Sequence, residues 1–261
     1  MRRILLLGIL LMASSMAKGA LGQPAIISEI APTGKLRVAV NAATPVQLIR
    51  TPDGKITGGV AFEFGKFIAD KLGVSLEMVP YPSSLTFTQS FGKREWDIAL
   101  GVKTPLVADK ADFIQEVLVS DYLFIARPGR EFADAAEVDR PGVKIGVGES
   151  SVSDQFLSKT LKSAELIRFP AGDKSLEALR SGQVDVLAAS ASNVEQVAKR
   201  VPDAKIVRGA FTNDRSMLIL PKGRSAEARA KIIEIANEAK KAGLVKKAID
   251  QVGTKGVRAA Q

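Results

Sequence analysis

The sequence predicts an α/β protein made of two similar lobes. Short runs of β-branched and aliphatic residues alternate with helical patterns from Leu36 onward, and this alternation is typical of mostly parallel sheets flanked by helices. The alternation occurs twice along the chain. Both series contain a helix end, then a glycine, then an aspartate that opens a strand, at Gly92 to Asp97 and at Gly182 to Asp185. We therefore expect two lobes, each with its own sheet.

The first series predicts the elements of the first lobe. It begins with a strand at 36–40, where alternate apolar residues share one face. An amphipathic helix is predicted at 61–72, with Gly73 as its stop, because glycine readily adopts the left-handed conformation that closes a helix. The rest of the series predicts strands at 76–79, 97–100 and 122–126 and a short helix at 85–91.

The second series predicts the inserted lobe. Its strands are expected at 143–147, 165–169 and 184–188, and its helices at 152–162, 174–181 and 193–201. A late strand at 217–220 and a long helix at 226–242 are expected to return to the first lobe. The predicted organisation is a first lobe of 33–126 plus 217–252, a second lobe of 127–216, and a C-terminal tail at 253–261. Two strands would cross between the lobes, just after Ala126 and near Met217, and act as hinges.

The first residues have the features of a secretory signal peptide, predicted to span 1–22. Arg2 and Arg3 precede a short apolar run, and Ala20 and Gly22 fit a signal peptidase site, so we expect cleavage after Gly22. The apolar run is too short for a membrane-spanning helix, which needs about 20 residues. The chain has no cysteine, which excludes a lipid-modified cysteine and disulfides. A free periplasmic protein is therefore expected.

The charge of the chain does not favour nucleic-acid binding. Loss of the signal peptide would leave 34 basic against 28 acidic residues, a net charge of +6 compared with +9 for the full chain. The late lysines lie on an alanine-rich helical pattern with no interleaved aromatic residues that could stack on bases, so they are expected on a solvated helix face. These lysines are Lys240, Lys241, Lys246 and Lys247.

The residue types present exclude several kinds of catalytic site. The chain has neither histidine nor cysteine, which excludes a histidine general base, a cysteine nucleophile and a zinc site built from these side chains. We expect no metal and no cofactor. Asp97 and Asp185 are acids at the start of their strands, whereas ligands of open α/β sheets bind beyond the carboxyl ends. A structural role is therefore expected for both.

The segment at 146–151 is a candidate contact for an anion. It lies between a predicted strand and helix, but Ser151 occupies the place of the third glycine of a dinucleotide-binding loop. Unpaired backbone N–H groups and the helix dipole favour an anion at the start of such a helix. Ser151 is also expected to cap the helix, with Asp154 completing an arrangement like a capping box. Capping and ligand contact are compatible.

A set of short segments, in this order and spacing, carries a family resemblance. They are GKLRVAV at 34–40, DGKITGG at 53–59, IADKLGV at 68–74, WDI at 96–98, DF at 112–113, GVKIGV at 142–147, GQVDV at 182–186 and LPKG at 220–223. Together they cover nearly the whole mature chain. The chain resembles the family 3 extracellular solute-binding proteins of bacterial ABC importers.

The resemblance implies a type II periplasmic-binding-protein fold, the Venus flytrap. Each lobe would be a mostly parallel sheet flanked by helices, and two hinge strands would join the lobes. A small polar solute, an amino acid or a related organic anion, would be clamped in the cleft as the lobes close. The resemblance further implies a monomer that delivers this solute to the membrane subunits of an ABC permease.

The sequence departs from the family where the charged groups of an amino acid are usually bound. The arginine that binds the α-carboxylate corresponds to Val107 in this chain. The aspartate that binds the α-ammonium corresponds to Ser190, and the aromatic residues after the first strand correspond to Thr44 and Gln47. The resemblance therefore implies an altered clamp.

We expect the ligand to contact residues at the carboxyl ends of strands in both lobes. Lys103 and the helix start near Ser151 are expected to favour a ligand with an anionic group. The candidate ligand-binding residues are Asn41, Thr44, Gln47, Gly101, Lys103, Thr104, Ser150, Ser151 and Ser190.

Two alternative functions remain open at this point. Some relatives of the family are cyclohexadienyl dehydratases, which need a placed acid, and Glu149 is the plain candidate in the loops expected to face the cleft. A ligand-sensing domain is the other alternative, because no feature of the sequence separates it from an import component. We predict binding without catalysis.

Overall fold

The computed structural model describes residues 17–170 and 172–261. Most of the predicted signal peptide, residues 1–16, lies outside the described residues, and the remainder begins helix α1. No helix in the described part of the chain has the length and apolar character needed to cross a membrane.

The elements alternate as the sequence predicts, with modest shifts at most ends. The helices are α1 Ala17–Ile30, α2 Val60–Leu72, α3 Ser84–Gln89, α4 Val152–Thr160, α5 Gly172–Ser181, α6 Ala191–Arg200, α7 Ala226–Lys241 and α8 Leu244–Val252, with a 3-10 turn at Ala135–Val138. The strands are β1 Lys35–Asn41, β2 Ile49–Arg50, β3 Ile56–Gly58, β4 Ser75–Tyr81, β5 Ile98–Val102, β6 Ala111–Ala126, β7 Lys144–Gly148, β8 Glu165–Phe169, β9 Val186–Ser190, β10 Lys205–Ile206, β11 Thr212–Pro221 and β12 Val257–Ala259.

Three differences from the predicted elements affect the region between the lobes. The strand predicted at 122–126 is the end of β6, a strand of 16 residues. The late strand predicted at 217–220 is likewise the end of a longer strand, β11. The predicted C-terminal tail contains β12, which pairs with Leu118 to Ser120 in the middle of β6.

Each lobe has a parallel sheet, and an antiparallel pair of long strands joins the two. In the first lobe β1 lies between β4 and β5 and runs parallel to both. In the second lobe β7 lies between β8 and β9 and runs parallel to both. Strands β6 and β11 pair antiparallel from Ala111 to Tyr122, and beyond that point β6 pairs with β9. The predicted two-lobed α/β fold is confirmed.

Separate hydrophobic clusters stabilise the two lobes. In the first lobe, helices α2, α7 and α8 bury their apolar faces on one side of the sheet, with Phe64 and Ile68 fully buried there. Phe87, Phe91 and Trp96 pack on the other side of that sheet. These side chains make two layers around β1 and β5, and this arrangement fixes the carboxyl ends of both strands.

The second lobe has its own clusters, and they include the end of β6. Phe124 and Ala126 pack with Val143 and Ile145 of the second lobe, and Ile125 packs on the opposite face of the same sheet. The residues just before the predicted boundary at 126 therefore pack with the elements that follow it. The change from one lobe to the other occurs inside β6.

The two aspartates that open strands have structural roles, as expected. Asp97 Oδ2 accepts a hydrogen bond from the backbone N–H of Arg37, at 2.9 Å, and so ties β5 to β1. Asp185 Oδ2 accepts from the backbone N–H of Lys144, at 3.0 Å, and ties β9 to β7. The similar sequence patterns around these residues thus correspond to the same hydrogen bond in each lobe.

Candidate functional site

A cavity of about 660 Å³ lies where the two lobes meet. Its walls are the carboxyl ends of β1 and β5 in the first lobe and of β7 and β9 in the second. Residues of the long strands that join the lobes also line it, namely Leu118, Ser120, Tyr122 and Ser216. The cavity therefore has the position expected for the ligand site of an open α/β sheet.

The structure brings eight of the nine candidate residues into the lining of this cavity. They are Asn41, Thr44, Gln47, Gly101 and Thr104 from the first lobe and Ser150, Ser151 and Ser190 from the second. Several further lining residues were not expected from the sequence, among them Ser120, Tyr122, Ser153, Phe87 and Ser216.

Lys103 is the candidate that the structure does not bring into the lining. Val102 and Thr104 both line the cavity, and the residue between them points the other way because successive side chains alternate along extended backbone. Lys103 is exposed, and its ammonium nitrogen lies 5.8 Å from the centre of the Phe113 ring. The expectation that its charge favours an anionic ligand therefore loses its basis.

Among the polar residues that line the cavity from the first lobe, Gln47 is the most deeply buried, at 5% exposed. Its Nε2 donates a hydrogen bond to Ser216 Oγ at 3.1 Å. Its Oε1 is buried and has no hydrogen-bond partner among the described residues. An unpaired buried acceptor costs free energy, so this oxygen is available to a donor on a ligand.

The loop that carries Gln47 packs against Gly59 and the start of α2. The backbone oxygen of Gln47 accepts from the N–H of Ala61, and that of Val46 accepts from the N–H of Val60. A Cβ atom at Gly59 would lie 2.6 Å from the Gln47 oxygen, and Gly59 has a φ of 101°, so both the space and the backbone conformation require glycine. The loop is thus fixed against the start of α2.

Asn41 organises the neighbouring loop. Its Oδ1 accepts from the N–H of Ala43 at 3.0 Å, and its Nδ2 donates to Ser84 Oγ at 3.0 Å. The amide therefore connects the end of β1 to the start of α3. The Asn41 side chain is part of the cavity wall, and both its oxygen and its nitrogen already form hydrogen bonds within the protein.

On the second-lobe side, the loop before α4 presents a helix N-terminus. Ser151 caps the helix by accepting from the N–H of Asp154 at 3.1 Å, which confirms the predicted cap. Asp154 Oδ2 accepts from the N–H of Ser150, and Arg168 Nε donates to Asp154 Oδ1 at 2.8 Å. Ser150 adopts a φ of 61°, a left-handed conformation that these bonds stabilise.

Two buried serines complete the polar lining of the second lobe. Ser153 is 1% exposed, and its hydroxyl has no hydrogen-bond partner within the described structure. Ser190 is buried as well, with its hydroxyl 3.4 Å from that of Ser192. Together with the backbone N–H groups of the first turn of α4, these hydroxyls provide neutral donors and acceptors to a ligand.

Glycines allow the walls to approach the cavity closely. A Cβ atom at Gly101 would lie 2.7 Å from the Phe87 ring, and one at Gly146 would lie 2.6 Å from Leu187 and 3.1 Å from Phe169. Both glycines are buried within their strands, Gly101 in β5 and Gly146 in β7. Their lack of a side chain gives room to the aromatic rings that line the cavity.

Charged groups are few in the lining that the structure describes. They are Glu149, Asp173 and Arg200, all from the second lobe. Arg200 pairs with Asp173 at 3.2 Å, and this pair lies at the rim, where both side chains are well exposed. No lysine is present among the described lining residues. Neutral polar and apolar groups therefore make up most of the described lining.

Tyr122 lies at the floor of the cavity, between the lobes. Burial raises the pKa of its hydroxyl above the ordinary value, and the nearby charge of Asp214 adds to the shift. The phenol is therefore neutral over the whole physiological range and acts as a hydrogen-bond donor or acceptor. Tyr122 begins the strand predicted at 122–126, and it was missed as a site candidate because ligand contacts were expected at the carboxyl ends of strands.

Known proteins with a similar sequence or fold bind amino acids. No protein-family model matches the chain. The chain is 23% identical over 225 residues to the L-cystine-binding protein TcyJ of Escherichia coli K12, a match that covers 84% of this chain and 83% of that protein.

Solved structures confirm the fold. An amino acid ABC transporter substrate-binding protein from Streptococcus pneumoniae, AbpA, bound to L-arginine, superposes with a TM-score of 0.74 at 23% identity, covering 85% of this chain and 96% of that one. An ancestral amino-acid-binding protein described as a precursor of cyclohexadienyl dehydratase gives a TM-score of 0.73 at 21% identity, covering 86% and 98%. The two-lobed fold that the family resemblance implies is thereby confirmed.

Proposed function

We propose that this protein is the substrate-binding component of an ABC importer and captures an amino acid in the cavity between its lobes. The observation that carries the proposal is the cavity itself, which joins strand ends of both lobes and contains buried polar groups without partners, Gln47 Oε1 and Ser153 Oγ. Its relatives are amino-acid-binding proteins, one for L-cystine and one observed with L-arginine.

The α-carboxylate of the ligand would be bound without an arginine. Val107, at the position of the family arginine, is buried and apolar. We propose that the first turn of α4 takes over this role, because its free backbone N–H groups and the positive end of the helix dipole favour an anionic oxygen. Ser151, Ser153 and, from the opposite lobe, Thr104 would add neutral donors.

The hinge would lie inside the long strand pair rather than at its ends. The packing changes from the first lobe to the second between Leu118 and Phe124 of β6. In β11 the register with β6 shifts between Ser216 and Met217, which breaks the regular ladder near the same level. Ligand binding would shift the lobes toward a closed state only to the extent that the closed state is bound more tightly.

We propose binding without catalysis. The chain contains no histidine or cysteine, and Glu149 is the unpaired acid of the cavity lining in the part of the chain described. Incubation with prephenate followed by mass analysis tests the dehydratase alternative. Turnover that disappears in Glu149→Gln would contradict a purely binding role.

The same proposal places the mature protein in the periplasm as a monomer that docks on the permease subunits. Its support is the signal-like start of the chain and the similarity to L-cystine- and L-arginine-binding proteins. N-terminal sequencing of protein from the periplasmic fraction should begin at Gln23. An intact Met1 on membrane-bound material would contradict this localisation.

Thermal unfolding with a panel of ligands tests the function directly. The twenty proteinogenic L-amino acids and L-cystine should include at least one that raises the melting temperature of the protein, because a ligand that binds the folded state stabilises it by mass action. Related sugars and dicarboxylates without an amino group serve as controls. If the controls stabilise the protein and no amino acid does, amino-acid binding is excluded.

A further inference from the structure

An unpaired acid lies on the cavity face of the strands that join the lobes. Asp214 of β11 is directly opposite Ser120 of β6 in the antiparallel register. Directly opposed residues of such a pair project to the same face of the sheet, and Ser120 and its neighbour Tyr122 both line the cavity. Ser216, two residues along β11 and therefore on the same face, lines it too. Asp214 is thus at the edge of the cavity floor, just beyond the lining residues.

The basic residue next to Asp214 does not neutralise it. Arg215 projects to the opposite face of the sheet and forms an ion pair with Glu116, at 2.9 Å. Asp214 has one local hydrogen bond, from the N–H of Arg215 to Oδ1 at 2.7 Å. Among the described residues, no lysine or arginine lies within ion-pair distance of its carboxylate. Burial raises the pKa of Asp214 above the ordinary value of 3.8, as expected for a half-buried carboxylate that lacks a counter-charge.

A second unpaired acid lines the same cavity from the other lobe. Glu149 follows β7, in the loop before α4, and is partly buried. Its backbone N–H donates to the oxygen of Phe169, which fixes the loop. Its carboxylate takes part in no ion pair among the described residues. The other acid of the lining, Asp173, is already paired with Arg200.

The cavity therefore has a local excess of negative charge in a protein whose net charge is positive, +9 for the full chain. The unpaired carboxylate of Glu149 belongs to the lining and that of Asp214 lies at its edge, while the described lining contributes no free cation. A ligand buried there must supply the compensating charge, because a buried unpaired carboxylate is unfavourable. In the family that the sequence resembles, an aspartate binds the α-ammonium, and Ser190 occupies that position in this chain. Asp214 and Glu149 therefore lie at positions different from that of the family aspartate.

We propose that Asp214 and Glu149 bind the cationic groups of the ligand, and that the preferred substrates are amino acids with a cationic side chain. This inference rests on the proposed function and specifies its substrate class. Asp214 would contact one cationic group from the floor of the cavity, and Glu149 would contact the other from the second lobe. A zwitterionic amino acid would compensate one of the two acids, and an anionic amino acid would add repulsion.

Calorimetric titration with matched ligands tests the proposal. The protein is unfolded and refolded to release any retained solute, and then titrated at neutral pH with L-arginine, L-lysine, L-citrulline, L-cystine and L-glutamate. L-Citrulline has nearly the shape of L-arginine without its charge. We expect L-arginine or L-lysine to bind at least about tenfold more tightly than L-citrulline, as for loss of a charge-assisted hydrogen bond. L-Glutamate should not bind measurably.

Two variants and a matched control identify the residues. Asp214→Asn and Glu149→Gln should each lower the affinity for the cationic ligand about tenfold or more and reduce its advantage over L-citrulline. Glu177→Gln, which removes an exposed acid of α5 outside the cavity, should leave the affinity within about twofold. Circular dichroism verifies that each variant is folded. Because Glu149 is in a surface loop, its variant remains informative if Asp214→Asn does not fold.

The possible failures are distinguishable. If a neutral or anionic amino acid binds as tightly as the cationic ones, or if both variants keep the parent affinity, the substrate class is wrong while amino-acid binding stands. If none of the twenty amino acids nor L-cystine binds the parent protein, the proposed function fails and this inference fails with it.

Discussion

The carboxylate of Asp97 accepts hydrogen bonds from both the backbone and the guanidinium of Arg37. The distances are 2.9 Å from the backbone nitrogen and 2.8 and 3.1 Å from the guanidinium. The Asp97 side chain is 1% exposed and that of Arg37 is 20% exposed. The hydrogen bond to Asp97 is the main reason that the pKa of Arg37 is raised. Neither residue lines the cavity, so we expect this contact to contribute to stability and not to ligand recognition.

Replacement of Asp97 by asparagine should destabilise the protein strongly. Removal of one partner of a buried ion pair leaves the other charge uncompensated and typically costs about 3–5 kcal/mol. The free energy of unfolding from urea denaturation measures this, with Asp109→Asn, an exposed acid of the same lobe, as control. Asp185→Asn should cost less, because the side chains of Asp185 and Arg127 are more exposed. A loss of stability equal to that of the control would contradict the assigned role.

Gln47→Leu should weaken ligand binding with little change in stability. The leucine removes the free Oε1 and the donor to Ser216, but it also relieves a buried unpaired acceptor. We expect an affinity loss of about tenfold by calorimetry. Gln115→Leu is a matched control, since Gln115 also has a buried Oε1 without a partner and does not line the cavity. Equal effects of the two changes would show that Gln47 does not contact the ligand.

Alanine at Gly101 or Gly146 should narrow the cavity. The added methyl group would displace the Phe87 ring in the first lobe, or Leu187 and Phe169 in the second. Overpacking of this kind costs about 1–3 kcal/mol of stability. Because the displaced rings line the cavity, affinity should fall as well. Gly172→Ala, where a Cβ atom meets nothing within 4 Å, is the control for melting temperature. Unchanged affinity in both cavity variants would contradict the expected narrowing of the cavity.

Asp214→Asn should stabilise the unliganded protein at neutral pH. A carboxyl whose pKa is raised on folding binds more protons in the folded state, so its ionisation lowers stability as the pH rises above 3.8. Burial is the main cause of this shift, while the N–H and the charge of neighbouring Arg215 oppose it. The difference in melting temperature between variant and parent should therefore be largest near pH 7 and shrink toward pH 4. A variant less stable than the parent at pH 7 would contradict this sign.

Helix α2, which buries a complete apolar face, was predictable from the sequence. It has a clear apolar pattern and a well-marked end at Gly73, and it was predicted nearly residue for residue. The part of β6 before Tyr122 was missed because acidic residues interrupt its pattern at Asp112, Glu116 and Asp121. Its extended conformation depends on pairing with β11 and β12, which are distant in sequence.

The site was predictable as a set of strand ends but not in its side-chain directions. Eight candidate residues line the cavity because the carboxyl ends of parallel strands meet at one edge of each sheet. Lys103 does not line the cavity, although the residues on both sides of it do. Asp214 was not considered because the segment TNDRS at 212–216 has no apolar periodicity. Its orientation depends on the register with Ser120.

Native mass spectrometry of the freshly purified mature protein tests whether the cavity binds an amino acid. We expect a one-to-one noncovalent complex, either retained from the cell or formed on addition, with the mass of a single amino acid. The complex should dissociate when the protein is unfolded and should be weakened in Gln47→Leu. A protein that carries no solute, and that forms no complex with any of the twenty amino acids or L-cystine, would contradict it.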